Sequence, residues 1–131
     1  KYFDIISNSL INSGKAALQI ITIDEKRAFN YHNQPDFIQQ YIFPGGMLAT
    51  KKELLEINQK TGLDFKEIIS FGTSYAKTLN LWNVQFQNSW HDLIKLGFND
   101  RFKRMWEFYF AYCETGFLSN STDVSHFLIK K

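Results

Sequence analysis

The sequence has one cysteine, two prolines and seven glycines in 131 residues. A single thiol excludes an internal disulfide and a cysteine-based zinc site. His32, His91 and His126 share no short ligand spacing, so no metal site is expected. No run of about 18 apolar residues is present, which argues against a membrane-spanning helix. No charged-then-apolar leader opens the chain, so no secretion signal is expected. Neither sign of charge dominates: 15 Lys+Arg against 13 Asp+Glu leave a net charge of +2. That is too little to bind nucleic acid by bulk charge. Gly-x-Gly-x-x-Gly, the phosphate-binding loop and Gly-x-Ser-x-Gly are all missing.

Aromatic residues, by contrast, are abundant. Thirteen Phe, six Tyr and three Trp make up 17% of the chain. An aromatic-rich core is one use for them; a long apolar ligand, a membrane surface or a partner chain is another. With 44% hydrophobic and 21% charged residues, the chain is not disordered. Its length suits one domain, which would bury about two-thirds of its unfolded surface. Lys1 is not an initiator Met, and an apolar pattern begins at Tyr2-Phe3 without a lead-in. The chain is therefore expected to be part of a longer protein.

Local patterns predict the elements. Phe3, Ile6 and Leu10 share helical spacing and Gly14 stops them. Residues 16–23 are a nearly continuous apolar run, expected to be a strand buried on both faces and closed by the charges of residues 24–27. Pro35 can start a short helix. Pro44-Gly45 fits the centre of a type II turn. Thr50 and Glu53 form a capping box ahead of Leu54, Leu55 and Ile57, and Thr61-Gly62 ends that helix. Residues 63–71 predict a second strand. Tyr75, Leu79, Trp82, Phe86, Trp90 and Leu93 predict a long helix closed by Gly97. Phe102, Met105, Trp106, Tyr109 and Cys113 stripe another, with Gly116 as its end. Phe108, Phe110 and Tyr112 lie off that stripe, which implies burial on several sides or an apolar cavity. Residues 123–130 predict a closing strand. The alternation argues for an α/β layer structure, with three strands few for a parallel sheet.

Several residues are candidates for chemistry. Gln19 is the polar member of the first apolar strand; it either faces a ligand crevice or is a packing amide. Pro44-Gly45-Gly46 either presents backbone N–H groups or is a plain turn. The Tyr75 hydroxyl is a site donor or a core tyrosine with one bond. Cys113 is expected to be an inert core thiol.

Read in order, the motifs are more specific. Tyr-Ile-Phe-Pro-Gly-Gly-Met-Leu (41–48), Phe-Gly-x-x-Tyr-x-x-Thr-Leu (71–79) and Trp-x-x-x-Phe-x-x-x-Trp (82–90) resemble the cyclopropane-fatty-acyl-phospholipid synthase family. So do Leu-Gly-Phe-Asn-Asp-Arg-Phe-x-Arg-Met-Trp-x-Phe-Tyr (96–109), Tyr-Cys-Glu-x-Gly-Phe (112–117) and Asp-Val-x-x-Phe (123–127). The resemblance covers nearly the whole chain. It implies the C-terminal part of a Rossmann-like, S-adenosylmethionine-dependent methyltransferase domain, mycolic acid cyclopropane synthase-like. Residues 16–23, 63–71 and 123–130 would be its last strands, the final one inserted antiparallel between the others. Residues 75–118 would be a helical insertion covering an acyl-chain cavity.

The same resemblance implies the activity: methyl transfer to a cis double bond in a phospholipid acyl chain, with a carbocation, bicarbonate as base and closure to a cyclopropane. It places bicarbonate contacts on the Tyr75 hydroxyl, the Ile21 backbone N–H and Gln19, where the best-known members carry histidine. His126 stands where the family usually has glutamine. Tyr41, Phe43, Gly45, Gly46, Trp106 and Tyr109 are the implied substrate-binding positions. The S-adenosylmethionine site would lie mainly upstream, so the chain alone is expected to be inactive. A cytoplasmic enzyme in peripheral contact with the inner membrane face, able to form a homodimer, is implied as well. The alternatives are acyl or small-molecule methyl transfer without ring closure, and a non-catalytic lipid-binding module.

Overall fold

Three of the apolar segments pair into one sheet in the computed structural model, which describes residues 1–131. Strands β1 (Lys15–Ile23), β2 (Asp64–Ser70) and β3 (Thr122–Lys130) lie in the order β1-β3-β2. β3 is antiparallel to both neighbours, so the last strand is inserted between two parallel ones, as the resemblance implies. Its pairing with β1 is unbroken from Lys15↔Lys130 to Ile23↔Thr122. On the β2 side the register shifts between Glu67 and Ile69, leaving a bulge around Ile68.

The reading of residues 16–23 as buried on both faces is corrected. Ala16, Leu18 and Ile20 pack on the core, whereas Ala17 and Gln19 are exposed. Small Ala17 and apolar Ile21 occupy the second face, and they disguise an ordinary antiparallel alternation as a continuous run.

The chain divides into two compact units: residues Lys1–Phe71 with Thr122–Lys131, and residues Gly72–Ser121. In the first, helices α1 (Tyr2–Ser9) and α3 (Lys51–Gln59) contribute Phe3 and Leu54 to a core shared with Leu63, Phe65, Phe127 and Ile129. Phe65 stacks on Phe127 at 4.8 Å and meets Phe3 edge-on at 5.8 Å. The capping box forms as expected: the Glu53 N–H donates to Thr50 Oγ1 (3.0 Å) and the Thr50 N–H to Glu53 Oε2 (2.7 Å). Of the apolar residues that follow it, Leu54 is buried, but Leu55 and Ile57 are exposed.

Between β1 and α3 lies a helix the sequence reading missed, α2 (Glu25–Asn33). The charges that close the strand pattern include its N-cap: Asp24 accepts from the Lys26 N–H at 2.9 Å. Pro35 is followed by a short π-helical segment, Ile38–Ile42. The turn at Pro44 closes through Gly46 N–H to Phe43 C=O (2.8 Å), with Gly45 at φ 79°, the positive angle a type II turn requires at that position.

The second unit is a helical hairpin of α4 (Gly72–Lys95) and α5 (Asp100–Leu118). Gly97 turns the chain at φ 92°, and Asn99 caps α5 by accepting from the Phe102 N–H at 3.0 Å. Phe86 of α4 packs against Phe102, Trp106 and Phe110 of α5. This shifts the expected stripe. Phe110 and Phe117 are the buried members, the expected stripe residues are half-buried, and Phe108 and Tyr112 are exposed rather than enclosed on several sides. Gly116 does not end α5: the helix runs to Leu118, and Asn120 takes the left-handed φ of 55° beyond it.

Replacing Phe127 (3% exposed) with alanine removes the stacked ring from the centre of the sheet. The expected loss is about 3–5 kcal/mol in urea unfolding. Thr50→Ala removes only the cap and is expected to cost about 1 kcal/mol in the same measurement.

Candidate functional site

The sheet face opposite the core carries the first group of candidate residues. The Ile23 N–H donates to Ala49 C=O at 3.1 Å, across the β1 edge that faces away from β3. Residues two apart in a strand direct their backbone groups to the same side. The Ile21 N–H therefore points to that same edge. It follows that Gln19 and His126, directly opposite in the register, form a pair without mutual backbone bonds, the kind in which side chains approach closest.

The side chains of this pair meet: His126 Nε2 lies 3.0 Å from Gln19 Oε1. With the amide in this orientation the imidazole donates from Nε2, because an amide oxygen only accepts. The ring of Phe71 contacts the imidazole edge-on at 4.7 Å. Gln19 is thus an exposed amide bonded to a side chain of the next strand, not a buried one bonded to backbone. The pair lies along a groove of about 520 Å³ whose other lining includes Ala17, Leu18, Ile68 and Leu128.

On the core side, one cation joins three elements. Lys51 Nζ, in the first turn of α3, donates to Glu67 Oε1 of β2 (2.6 Å) and to Asp123 Oδ2 of β3 (2.8 Å). Ser70 Oγ also donates to Asp123 (2.6 Å), and fully buried Ser125 donates to Glu67. Burial works against every charge here, but the hydrogen bonds outweigh it. Lys51 stays above its ordinary pKa, and Glu67 and Asp123 stay below theirs. This cluster ties α3 to the sheet and was not visible in the sequence, because its members are 16 and 72 residues apart.

The loop candidates sit in the same unit. Tyr41 and Phe43 are exposed, and the Gly46 N–H is spent inside the turn. A Cβ at Gly46 would stand 3.0 Å from the Phe43 carbonyl oxygen. The Gln39 amide donates to Gly46 C=O (3.1 Å) and anchors the turn, while the Leu48 N–H donates to the Tyr31 hydroxyl (3.2 Å).

The remaining candidates belong to the helical hairpin. Tyr75 is half-buried against Phe117 (5.3 Å) and Trp82 (6.2 Å). Trp106 meets Tyr109 edge-on at 5.0 Å and Phe110 at 5.6 Å. Burial, then the neighbouring Cys113 and Tyr75, pushes the Tyr109 hydroxyl above its usual value, so it is a donor at neutral pH. Cys113 is half-buried. Gln19 and Ile21 thus share one unit, and Tyr75, Trp106 and Tyr109 share the other. No helix is long and apolar enough to cross a membrane.

Comparison with known proteins gives a consistent family. A family model described as mycolic acid cyclopropane synthetase matches residues 1–127. A tuberculostearic acid methyltransferase of Mycobacterium tuberculosis is 38% identical over 125 residues, 95% of this chain and 29% of that protein. The cyclopropane-fatty-acyl-phospholipid synthase of Escherichia coli is 28% identical over 116 residues, 88% of this chain and 29% of that protein. The crystal structure of a mycolic acid cyclopropane synthase complexed with SAH and CTAB superposes with a TM-score of 0.86 at 25% identity, covering 99% of this chain and 48% of that one. The chain therefore spans about three-tenths of these curated relatives and about half of the solved chain. The expected fold class is borne out: the three strands and their helices match a methyltransferase α/β fold.

The Lys51 cluster makes a pH prediction. Carboxylates held below their unfolded values contribute stability above those values, 4.5 for Glu67 and 3.8 for Asp123, and lose it as pH falls through the folded ones. Lys51→Met is expected to cost about 1–2 kcal/mol at pH 7. The gap to wild type should shrink in urea unfolding below about pH 4, as both carboxylates become protonated.

Proposed function

The chain belongs to the mycolic acid cyclopropane synthetase family, and from that premise we propose that its parent protein transfers a methyl group to the cis double bond of a lipid acyl chain. The match over residues 1–127, with a solved relative at TM-score 0.86, carries this reading. A phospholipid chain reached at a membrane surface is the proposed substrate, and a cyclopropane the proposed product.

S-adenosylmethionine, when bound, supplies the methyl group. None of the candidate residues here is assigned to it, and the chain has no Gly-rich dinucleotide-type loop. Its site is proposed to lie in the rest of the protein, so residues 1–131 alone are expected to be inactive. Methyl transfer to one alkene carbon leaves a cation on the other. Removal of a proton from the new methyl then lets the ring close. Bicarbonate is the proposed base, and the donor chemistry of the chain fits an anion. The Ile21 N–H is directed out of the sheet edge. Gln19 has its oxygen engaged by His126, which leaves its amide N–H groups as the donors. Tyr75 would add a hydroxyl.

Cation chemistry requires that water be kept away. Trp106 and Tyr109 in the hairpin are proposed as substrate-binding positions, and so, in the sheet unit taken by itself, are Tyr41, Phe43 and the tight Gly45-Gly46 turn. Ring faces tolerate a nearby positive charge, as Lys103 over Trp90 at 5.4 Å illustrates in this molecule. The 38%-identical relative is named a methyltransferase rather than a cyclopropane synthase, which favours a second reading: methyl transfer after which the cation loses a neighbouring proton to the base and leaves a methyl-branched alkene, without ring closure.

Lipid mass spectrometry of cells expressing the full-length protein tests both readings. An unsaturation-dependent acyl species one methylene heavier is expected, and fragmentation separates ring from branch. Tyr75→Phe should reduce it by about a hundredfold or more if the hydroxyl serves the base. Undiminished product in that variant would remove Tyr75 from the mechanism.

A further inference from the structure

We infer that the turn of the helical hairpin, residues 94–104, is the surface by which the protein docks on an anionic lipid bilayer. The inference rests on the membrane-lipid substrate proposed above and names the part of the chain that reaches it. Leu96, at the apex, is 75% exposed, and Ile94 beside it is 52% exposed. The turn closes without these side chains: Gly97 supplies the positive φ and Asn99 caps α5. The N–H groups of Leu96, Gly97 and Phe98 all donate to the Leu93 and Ile94 carbonyls at the end of α4. An apex whose donors are met inside the turn can enter an apolar phase without stranding them.

Charge around the apex selects the partner. Four basic and two acidic side chains stand between residues 92 and 104, a net +2 that equals the charge of the whole chain. The two acidic residues are engaged locally. Asp92 pairs with Lys95 at 2.8 Å, and Asp100 lies in the first turn of α5, where the helix N–H groups favour a carboxylate. Arg101 and Arg104 are exposed, form no ion pair and, being three apart, share a face of α5. Exposed leucine and isoleucine beside unpaired arginine suit an interfacial anchor. The apolar side chains enter the acyl boundary, and the guanidinium groups meet lipid phosphates. The other exposed apolar residues of α4 lack such a collar. No charged residue occurs from Thr78 to Trp90, the stretch that holds Leu81 and Val84.

The test uses the full-length protein with vesicles of phosphatidylglycerol or of phosphatidylcholine, both carrying cis-unsaturated chains. Co-sedimentation measures binding of wild type, Leu96→Gln and Arg101→Gln/Arg104→Gln. Product formation is followed on the vesicles and on the same lipids dispersed in detergent micelles. Wild type is expected to bind phosphatidylglycerol vesicles about tenfold or more tightly than phosphatidylcholine vesicles, and more weakly as salt rises. Each variant should weaken that binding about tenfold or more. Each should also form less product on vesicles while keeping the wild-type rate in micelles. Both variants binding at wild-type strength, or equal binding to the two vesicle types, would overturn the assignment and leave the turn to a protein partner. Loss of product in micelles as well as on vesicles would make these residues structural and overturn it too. Product in micelles without vesicle binding by the wild type would defeat the inference alone. The expected vesicle binding, with no product from the wild type on either form of lipid, would defeat the proposed reaction and leave the docking surface standing.

Discussion

The insertion of β3 between β1 and β2 is the constraint on which the sheet unit depends. The two outer strands run parallel and do not touch, so neither has a partner in this sheet until the last nine residues of regular structure arrive. β3 supplies Phe127 and Ile129 to the core on one face and His126 to the groove on the other. Its opening residues, Asp123 and Ser125, complete the charge cluster around Lys51. These contacts join residues more than a hundred positions apart, as Gln19 and His126 are, and such pairing closes late because the loop entropy must be met first. The hairpin of α4 and α5 lies in sequence between β2 and β3 and is held by its own aromatic contacts. That local stability shortens the effective loop.

Strong local signals were legible. Thr50 and Glu53 cap α3 reciprocally, Gly45 turns the chain after Pro44, Gly97 joins the long helices, and the three strands lie within a residue or two of their expected places. Each of these depends on neighbours a few positions away. The failures have a common cause. Asp24 reads as a strand end because its capping role depends on a helix with little apolar signal. Gly116 reads as a stop, but packing around Phe117 carries α5 past it. The nearly continuous apolar run around Gln19 implies burial on both faces, although antiparallel pairing exposes it.

The site was legible in a different way. The motif order was enough to identify the family, and the match over residues 1–127 bears that out. Which side chains meet was not legible, because strand register decides it. No spacing in the sequence pairs position 19 with position 126, or Lys51 with both Glu67 and Asp123. The two units supply different chemistry: the sheet gathers backbone and side-chain hydrogen-bonding groups, and the hairpin gathers rings around a half-buried tyrosine.

The most direct test of this account is the register of β3 in the full-length protein. Ala17 and Leu128 are opposite one another in a close-approach pair, as Gln19 and His126 are. Ala17→Cys with Leu128→Cys should therefore oxidise to an intrachain disulfide, read by intact mass and by peptide mapping. Leu18→Cys with Leu128→Cys should not, because strand neighbours one residue apart face opposite sides of the sheet. The reverse outcome would place β3 one residue out of register and separate His126 from Gln19.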